Sequence, residues 1–139
     1  MEIEGKKIGA ECYPFVIAEL SANHDGSIER ARKIIEAAHQ SGADAVKLQT
    51  YRPDTITIDC DRKDFRIQGG PWDGRTLYDL YEEAHMPWEW HAPLFEHARK
   101  LGISIFSSPF DNTAVDYLED LNSPAYKIAS FELVDLPLI

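Results

Sequence analysis

The chain has 139 residues, 44% of them hydrophobic and 27% charged, an ordinary balance for one globular domain. Its formal net charge of -10 lacks the basic footprint of a nucleic-acid binder, although net charge says little about the local field in a cleft. Two cysteines, Cys12 and Cys60, are too few for a disulfide framework, and neither a leader-like segment nor a membrane-length apolar run is found. The plain expectation is a cytoplasmic protein with no membrane partner, its cysteines small and partly buried.

In chain order, Met1 to Cys12 carries Gly5 between short alternating segments and predicts a small hairpin. Pro14 to Leu20 is a first core strand. Asn23-His24-Asp25-Gly26-Ser27 is a polar turn in which Ser27 is placed to cap a helix. Ile28, Ala31, Ile34, Ile35 and Ala38 recur at helical spacing until Gly42 stops the helix. A second strand follows over Ala45 to Thr50. Tyr51 to Arg75 is a long connection rich in Asp, Arg and Gly, the kind of loop that serves as a lid or binding segment. Thr76 to His85 reads as helix, and Pro87 opens another whose Leu94, Phe95, Ala98 and Leu101 share a face before Gly102. A third strand, Ser104 to Phe110, leads to a helix capped by Asp111 or Asn112, with Ala114, Val115, Leu118 and Leu121 inward. Asn122-Ser123-Pro124 ends it, and Ala125 to Ser130 is a fourth strand.

Strands alternating with helices through short links mean right-handed βαβ units and a parallel sheet. The fold class expected is α/β, about the first half of a TIM barrel, because four strands do not close a barrel that takes about 250 residues. A small open sheet complete in itself is the alternative.

The polar residues of these strands carry the functional argument. Glu19, Lys47 with Gln49, Ser108, and Lys127 with Ser130 all fall toward the same end of their runs. An unpaired charge costs several kcal/mol, about 2 to 7 for a polar group and more for an ion, when a strand buries it without a partner. Parallel sheets place their ligands at the carboxyl ends of the strands, so the pattern points to one shared polar site. Lys47 and Lys127 suit an anion clamp or a Schiff-base nucleophile, unless they snorkel to solvent. Lys47 and Gln49 share side-chain parity, whereas Lys127 and Ser130 converge only if the strand has turned by Ser130. Glu19 and Glu132 are the carboxylate candidates for proton handling, Glu132 equally readable as a solvated loop acid. No histidine pair has metal spacing; His39, His85, His91 and His97 read as exposed, and His24, in the polar turn, as a possible site residue.

The stretches Ile17-Ala-Glu-Leu-Ser-Ala-Asn-His-Asp-Gly26, Ala43-Asp-Ala-Val-Lys-Leu-Gln-Thr-Tyr51, Phe106-Ser-Ser-Pro-Phe-Asp111 and Pro124-Ala-Tyr-Lys-Ile-Ala-Ser-Phe-Glu132 resemble the sialic acid synthase family. Trp72-Asp-Gly-Arg-Thr-Leu-Tyr-Asp-Leu-Tyr81 with Pro87-Trp-Glu-Trp90 resembles its pseudaminic branch. The resemblance implies a TIM barrel that condenses phosphoenolpyruvate with an open-chain amino sugar and releases phosphate. In the pseudaminic branch that sugar is a diacetamido-trideoxy hexose. It further implies that Lys47, Ser108, Lys127 and Ser130 contact phosphoenolpyruvate and that Gln49, Phe110 and Glu132 contact the sugar. Glu19 matches a carboxylate near the reacting centre, so Glu19, Lys47 and Lys127 are the catalytic candidates. Ser108 stands where the family usually has threonine. A divalent metal, manganese or magnesium, is implied with histidine ligands from later strands, so no metal ligand is expected in these residues. The full-length protein is expected to be a homodimer with a C-terminal antifreeze-like domain, and residues 1–139 to be the N-terminal half of the barrel domain, inactive alone. A Schiff-base aldolase and a non-catalytic sugar-binding fragment are the rival readings.

Overall fold

The computed structural model describes residues 1–139, the whole chain. It opens with the expected hairpin, β1 (Glu2–Ile3) against β2 (Lys6–Lys7). Both turn residues, Glu4 and Gly5, have positive φ (46° and 81°), the backbone a two-residue hairpin loop requires to match strand twist. Lys6 Nζ reaches Asp44 Oδ1 at 3.0 Å, and the other Asp44 oxygen accepts the Val16 N–H at 2.8 Å. One carboxylate thus fastens the hairpin to the base of the sheet.

The main sheet is parallel, in the order β3 (Ile17–Glu19), β4 (Ala45–Thr50), β5 (Ser104–Pro109). α1 (Ile28–Gln40) connects the first pair, as the alternation predicts. Ser27 caps α1 by accepting the Arg30 N–H at 3.2 Å. Gly42, at φ 81°, ends it, with Gly42 N–H bonded to the His39 carbonyl and Ala43 N–H to that of Ala38. These two bonds satisfy carbonyls that the last helical turn leaves free.

Between β4 and β5 lie α2 (Pro53–Ile56), a 3-10 turn at Lys63–Phe65, α3 (Leu77–Ala84), a second 3-10 turn at Trp88–Trp90 and α4 (His91–Leu101). The long connection therefore carries short helices of its own. After β5 comes α5 (Asn112–Asp120), capped by Asp111, whose carboxylate accepts the Thr113 and Ala114 N–H groups.

Alternation along the strands divides the sheet into two faces. Leu20, Val46, Leu48 and Ile105 turn to the helices and form the core with Ala31, Ile35, Leu94, Phe95, Ala98 and Leu118. Each fully buried Leu, Ile or Phe there contributes about 1.5–3 kcal/mol. Ala31, Ala38 and Ala98 bring α1 and α4 close to each other and to the strands, since a methyl group holds them apart least. The opposite face, carrying Glu19, Lys47, Gln49 and Ser108, has no helix over it.

Two expectations change. β3 is three residues long rather than Pro14 to Leu20. Ala125 to Ser130 is not a fourth strand: it makes one parallel bridge, Tyr126 to Ser107, and one bond from Lys127 N–H to the Ser107 carbonyl at 3.1 Å. Pro124 brings no N–H to a ladder, pairing is one-sided, and by Ser130 the backbone is already helical (φ -62°, ψ -40°). The sheet is three-stranded, with no barrel closure among these residues.

Candidate active site

Register brings the first charges together. Glu19 lies opposite Lys47 on neighbouring strands, and Gln49 opposite Ser108. Lys47 Nζ is 2.8 Å from Glu19 Oε2 and 3.5 Å from Ser108 Oγ. The lysine side chain is only 7% exposed, whereas Glu19 is 55% exposed. Lys47 therefore does not snorkel; its ammonium is held under the open sheet face, with a carboxylate that keeps water on its far side. An ammonium has three N–H donors, and two are directed at these partners. Gln49 Oε1 accepts from Ser21 Oγ at 3.4 Å. Strand pattern gives no signal for Ser21, although it follows Leu20 within the first motif. Its φ of 50° is uncommon for a residue with a Cβ and carries the chain off the end of β3 toward Gln49.

The rim of this face is aromatic. Phe110 and Tyr51 follow the ends of β5 and β4, and their rings meet edge to face at 5.5 Å. Tyr51 meets Tyr81 of α3 in the same way at 5.7 Å. Burial pushes the Tyr51 phenol up to about 12.

The third group is looser. Bridging of Tyr126 to Ser107 puts Lys127 on the same side of the sheet as Ser108, but Lys127 is exposed and makes no side-chain hydrogen bond or ion pair. Ser130 is exposed, at the start of a 3-10 turn (Phe131–Val134). The backbone has turned by then, which is the condition for Lys127 and Ser130 to converge. Glu132 is not a solvated acid: it is half-buried, and its Oε2 is enclosed without a hydrogen-bond partner.

The histidines need correction. His91 is wholly buried rather than exposed, and His97 is half-buried with Nε2 3.2 Å from Glu36. His91 opens α4 beneath the carboxyl ends of β4 and β5. Its Nε2 is 2.9 Å from Thr50 Oγ1, which is 2.7 Å from Ser107 Oγ. Burial pushes its pKa down to about 4, so the ring is neutral and structural. This chain lies on the helix side and ties together the two strand ends that carry Gln49 and Ser108. Helical periodicity alone marks His91 as one polar position beside an apolar face and offers no signal of burial. His24 is also buried, edge-on to Trp90 at 5.5 Å, with Nδ1 accepting the Gly26 N–H. It organises the turn after β3 rather than reaching the open face. Cys12 is exposed and Cys60 half-buried, both free.

No three His, Cys, Asp or Glu side chains gather to hold a metal ion. No helix is long and apolar enough to cross a membrane.

A model of the NeuB family matches residues 34–139. The chain belongs to the NeuB family. It is 56% identical over 121 residues to the pseudaminic acid synthase of Campylobacter jejuni, covering 87% of this chain and 35% of that protein. It is 55% identical over 126 residues to the pseudaminic acid synthase of Helicobacter pylori, covering 91% and 37% respectively. Among solved structures it resembles the N-acetylneuraminic acid (sialic acid) synthetase of Leptospira borgpetersenii in complex with citrate. That likeness has a TM-score of 0.82 at 25% identity, over 99% of this chain and 44% of the other. The chain thus spans little more than a third of the length of the curated relatives it matches.

Proposed function

We propose that this chain contributes the phosphoenolpyruvate-binding half of a synthase that condenses phosphoenolpyruvate with an open-chain N-acetylated amino sugar, as a pseudaminic acid synthase does. The observation that carries the reading is Lys47: a buried ammonium at the carboxyl end of a parallel strand, held by Glu19 and Ser108, with one donor left for an anion. Relatives that are 55–56% identical and named pseudaminic acid synthase support the choice of branch.

Lys47, Ser108, Lys127 and Ser130 hold the carboxylate and phosphate of phosphoenolpyruvate. Gln49, Phe110 and Glu132 hold the sugar. The enol carbon C3 attacks the aldehyde carbon, and the aldehyde oxygen takes a proton. Water adds to C2, and the C2–O bond to phosphate breaks from the resulting tetrahedral intermediate. Lys47 and Lys127 offset the negative charge of the leaving phosphate, and Glu19, beside Lys47 and open to solvent, handles the proton of the water. These residues do not fit a divalent metal, because no ligand cluster forms among them. Manganese or magnesium, as the resemblance implies, would be held by histidines outside residues 1–139. Residues 1–139 form the first half of a TIM barrel in this reading, supported by sequential parallel order. The full protein works in the cytoplasm as a homodimer, as the resemblance implies.

The test is the intact gene product, assayed for phosphate release from phosphoenolpyruvate with a diacetamido-trideoxy hexose and manganese. Phosphate release with a nonulosonic acid by mass spectrometry is the expected result. A borohydride-trapped pyruvate adduct on Lys47 or Lys127 would overturn it in favour of a Schiff-base aldolase.

A further inference from the structure

We infer that Ser107 and Thr50, with His91 behind them, are positioning residues: a buried hydrogen-bond chain that fixes where Lys47, Gln49, Ser108 and Lys127 stand relative to one another for the condensation. The inference rests on the condensation reading and adds the residues that align its two substrates.

Ser107 is the junction. Its carbonyl accepts the Lys127 N–H at 3.1 Å, and its Oγ lies 2.7 Å from Thr50 Oγ1 on β4. The next residue is Ser108, whose Oγ is 3.5 Å from Lys47 Nζ and whose partner across the ladder is Gln49. Backbone groups two residues apart in a strand point to the same side, so the next rung toward Lys127 would need an N–H from Pro109, which has none. The run bearing Lys127 is thus held to the sheet through the single bridge at Ser107.

The chain runs one way. His91 Nδ1 faces the Pro87 carbonyl at 3.4 Å, and a carbonyl only accepts, so that nitrogen carries the proton and Nε2 accepts the Thr50 hydroxyl at 2.9 Å. Thr50 Oγ1 in turn accepts from Ser107. The start of α4 is pinned beside it by the Trp88 indole N–H, which donates to the Tyr51 carbonyl at 3.3 Å. Ser107, Thr50 and His91 are all wholly buried. Apolar side chains would fill these helix-facing positions without desolvating three polar groups, so stability alone does not call for them. A fully satisfied buried network admits one arrangement where apolar packing tolerates several, which is what a site assembled from separate segments needs.

Attraction and alignment respond differently to a shift of these strand ends. An ammonium attracts an anion over a range of distances, whereas a carbon–carbon bond forms only from a near-attack geometry. A displacement of about 1 Å can cost about 100-fold in rate. Loss of the chain should therefore lower kcat and largely spare anion affinity, unlike loss of Lys47 itself.

The experiment measures phosphate release by the intact gene product from phosphoenolpyruvate and a diacetamido-trideoxy hexose with manganese, with kcat expressed per folded molecule from urea melts. Thr50→Val should lower kcat about tenfold to a hundredfold, with KM for phosphoenolpyruvate moving far less. Thr50→Ser, which keeps the hydroxyl, should restore most of the rate. Ser107→Ala should lower kcat likewise, and it carries the test if Thr50→Val fails to fold. The double variant should be no slower than the slower single one, because both delete the same bond. Parental kcat in both single variants, a Thr50→Ser variant as slow as Thr50→Val, additive losses in the double variant, or a loss that vanishes once unfolded protein is discounted would overturn the positioning chain while leaving condensation intact. A parent that condenses nothing overturns the condensation reading and this role with it.

Discussion

Replacing Lys47 by Met in the intact protein separates binding from folding. The ammonium is enclosed, 7% exposed, with donors toward Glu19 at 2.8 Å and Ser108 at 3.5 Å. A charge-assisted contact to the phosphoenolpyruvate anion through the remaining donor contributes roughly 1.5–3 kcal/mol. Its removal should therefore weaken binding about tenfold to a hundredfold. Stability should change little. Met keeps most of the apolar stem, and Glu19 is 55% exposed, so its carboxylate returns to water when its partner goes. A pair that is open on one side contributes about 0–1 kcal/mol. Lys127→Met should lose anion affinity likewise, and Gln49→Ala should weaken the sugar while sparing the anion. Calorimetric titration with phosphoenolpyruvate in the presence of manganese measures the first effect, and urea unfolding measures the second. If Lys47→Met binds the anion as tightly as the parent, these strand ends are not the anion cradle. If it instead loses several kcal/mol of stability, on the order of the 3–5 seen when a buried pair is broken, Lys47 is a structural charge.

Three further outcomes follow from the geometry. His91 stays neutral to about pH 4 when folded but takes a proton near 6.5 when unfolded, so its contribution is complete above pH 7 and is lost as pH falls between those values. That loss reaches about 2–3 kcal/mol near pH 4.5, and His91→Gln should abolish this part of the acid sensitivity in urea melts followed by tryptophan fluorescence; an identical pH profile for both proteins would refute it. Gly102→Ala places a Cβ at φ 79° with nothing within 4 Å, so it should destabilise only through the left-handed backbone strain it adds, about 1–2 kcal/mol, read as a lower urea midpoint. Residues 1–139 expressed alone should self-associate, because Phe131, Val134 and Leu136 are 88%, 85% and 76% exposed, the β3 edge of the sheet is unpaired and the β5 edge is covered by a single bridge. A stable monomer in size-exclusion chromatography with light scattering would contradict that.

Local chemistry was legible in the chain itself. Ser27, Gly42 and Gly102 delimit helices through capping bonds and left-handed backbone that depend on nearest neighbours alone. The parity of Lys47 and Gln49 follows from the pleat, and the motifs around them suffice to suggest the family. What lay beyond sequence was everything set by register and by contact between distant segments. That Glu19 is the partner of Lys47 depends on how β3 slides against β4, and a one-residue shift would turn Glu19 to the helices. His91 looks like any polar helix position until α4 docks over Thr50 and Ser107. The fourth apolar run has strand composition, yet it pairs through one bridge, because ladders need a neighbour's hydrogen bonds as well as a favourable side-chain pattern. Tyr81 is 30 residues from Tyr51 and 29 from Phe110 in sequence, and only the packing of α3 against the ends of β4 and β5 assembles the three rings into one surface.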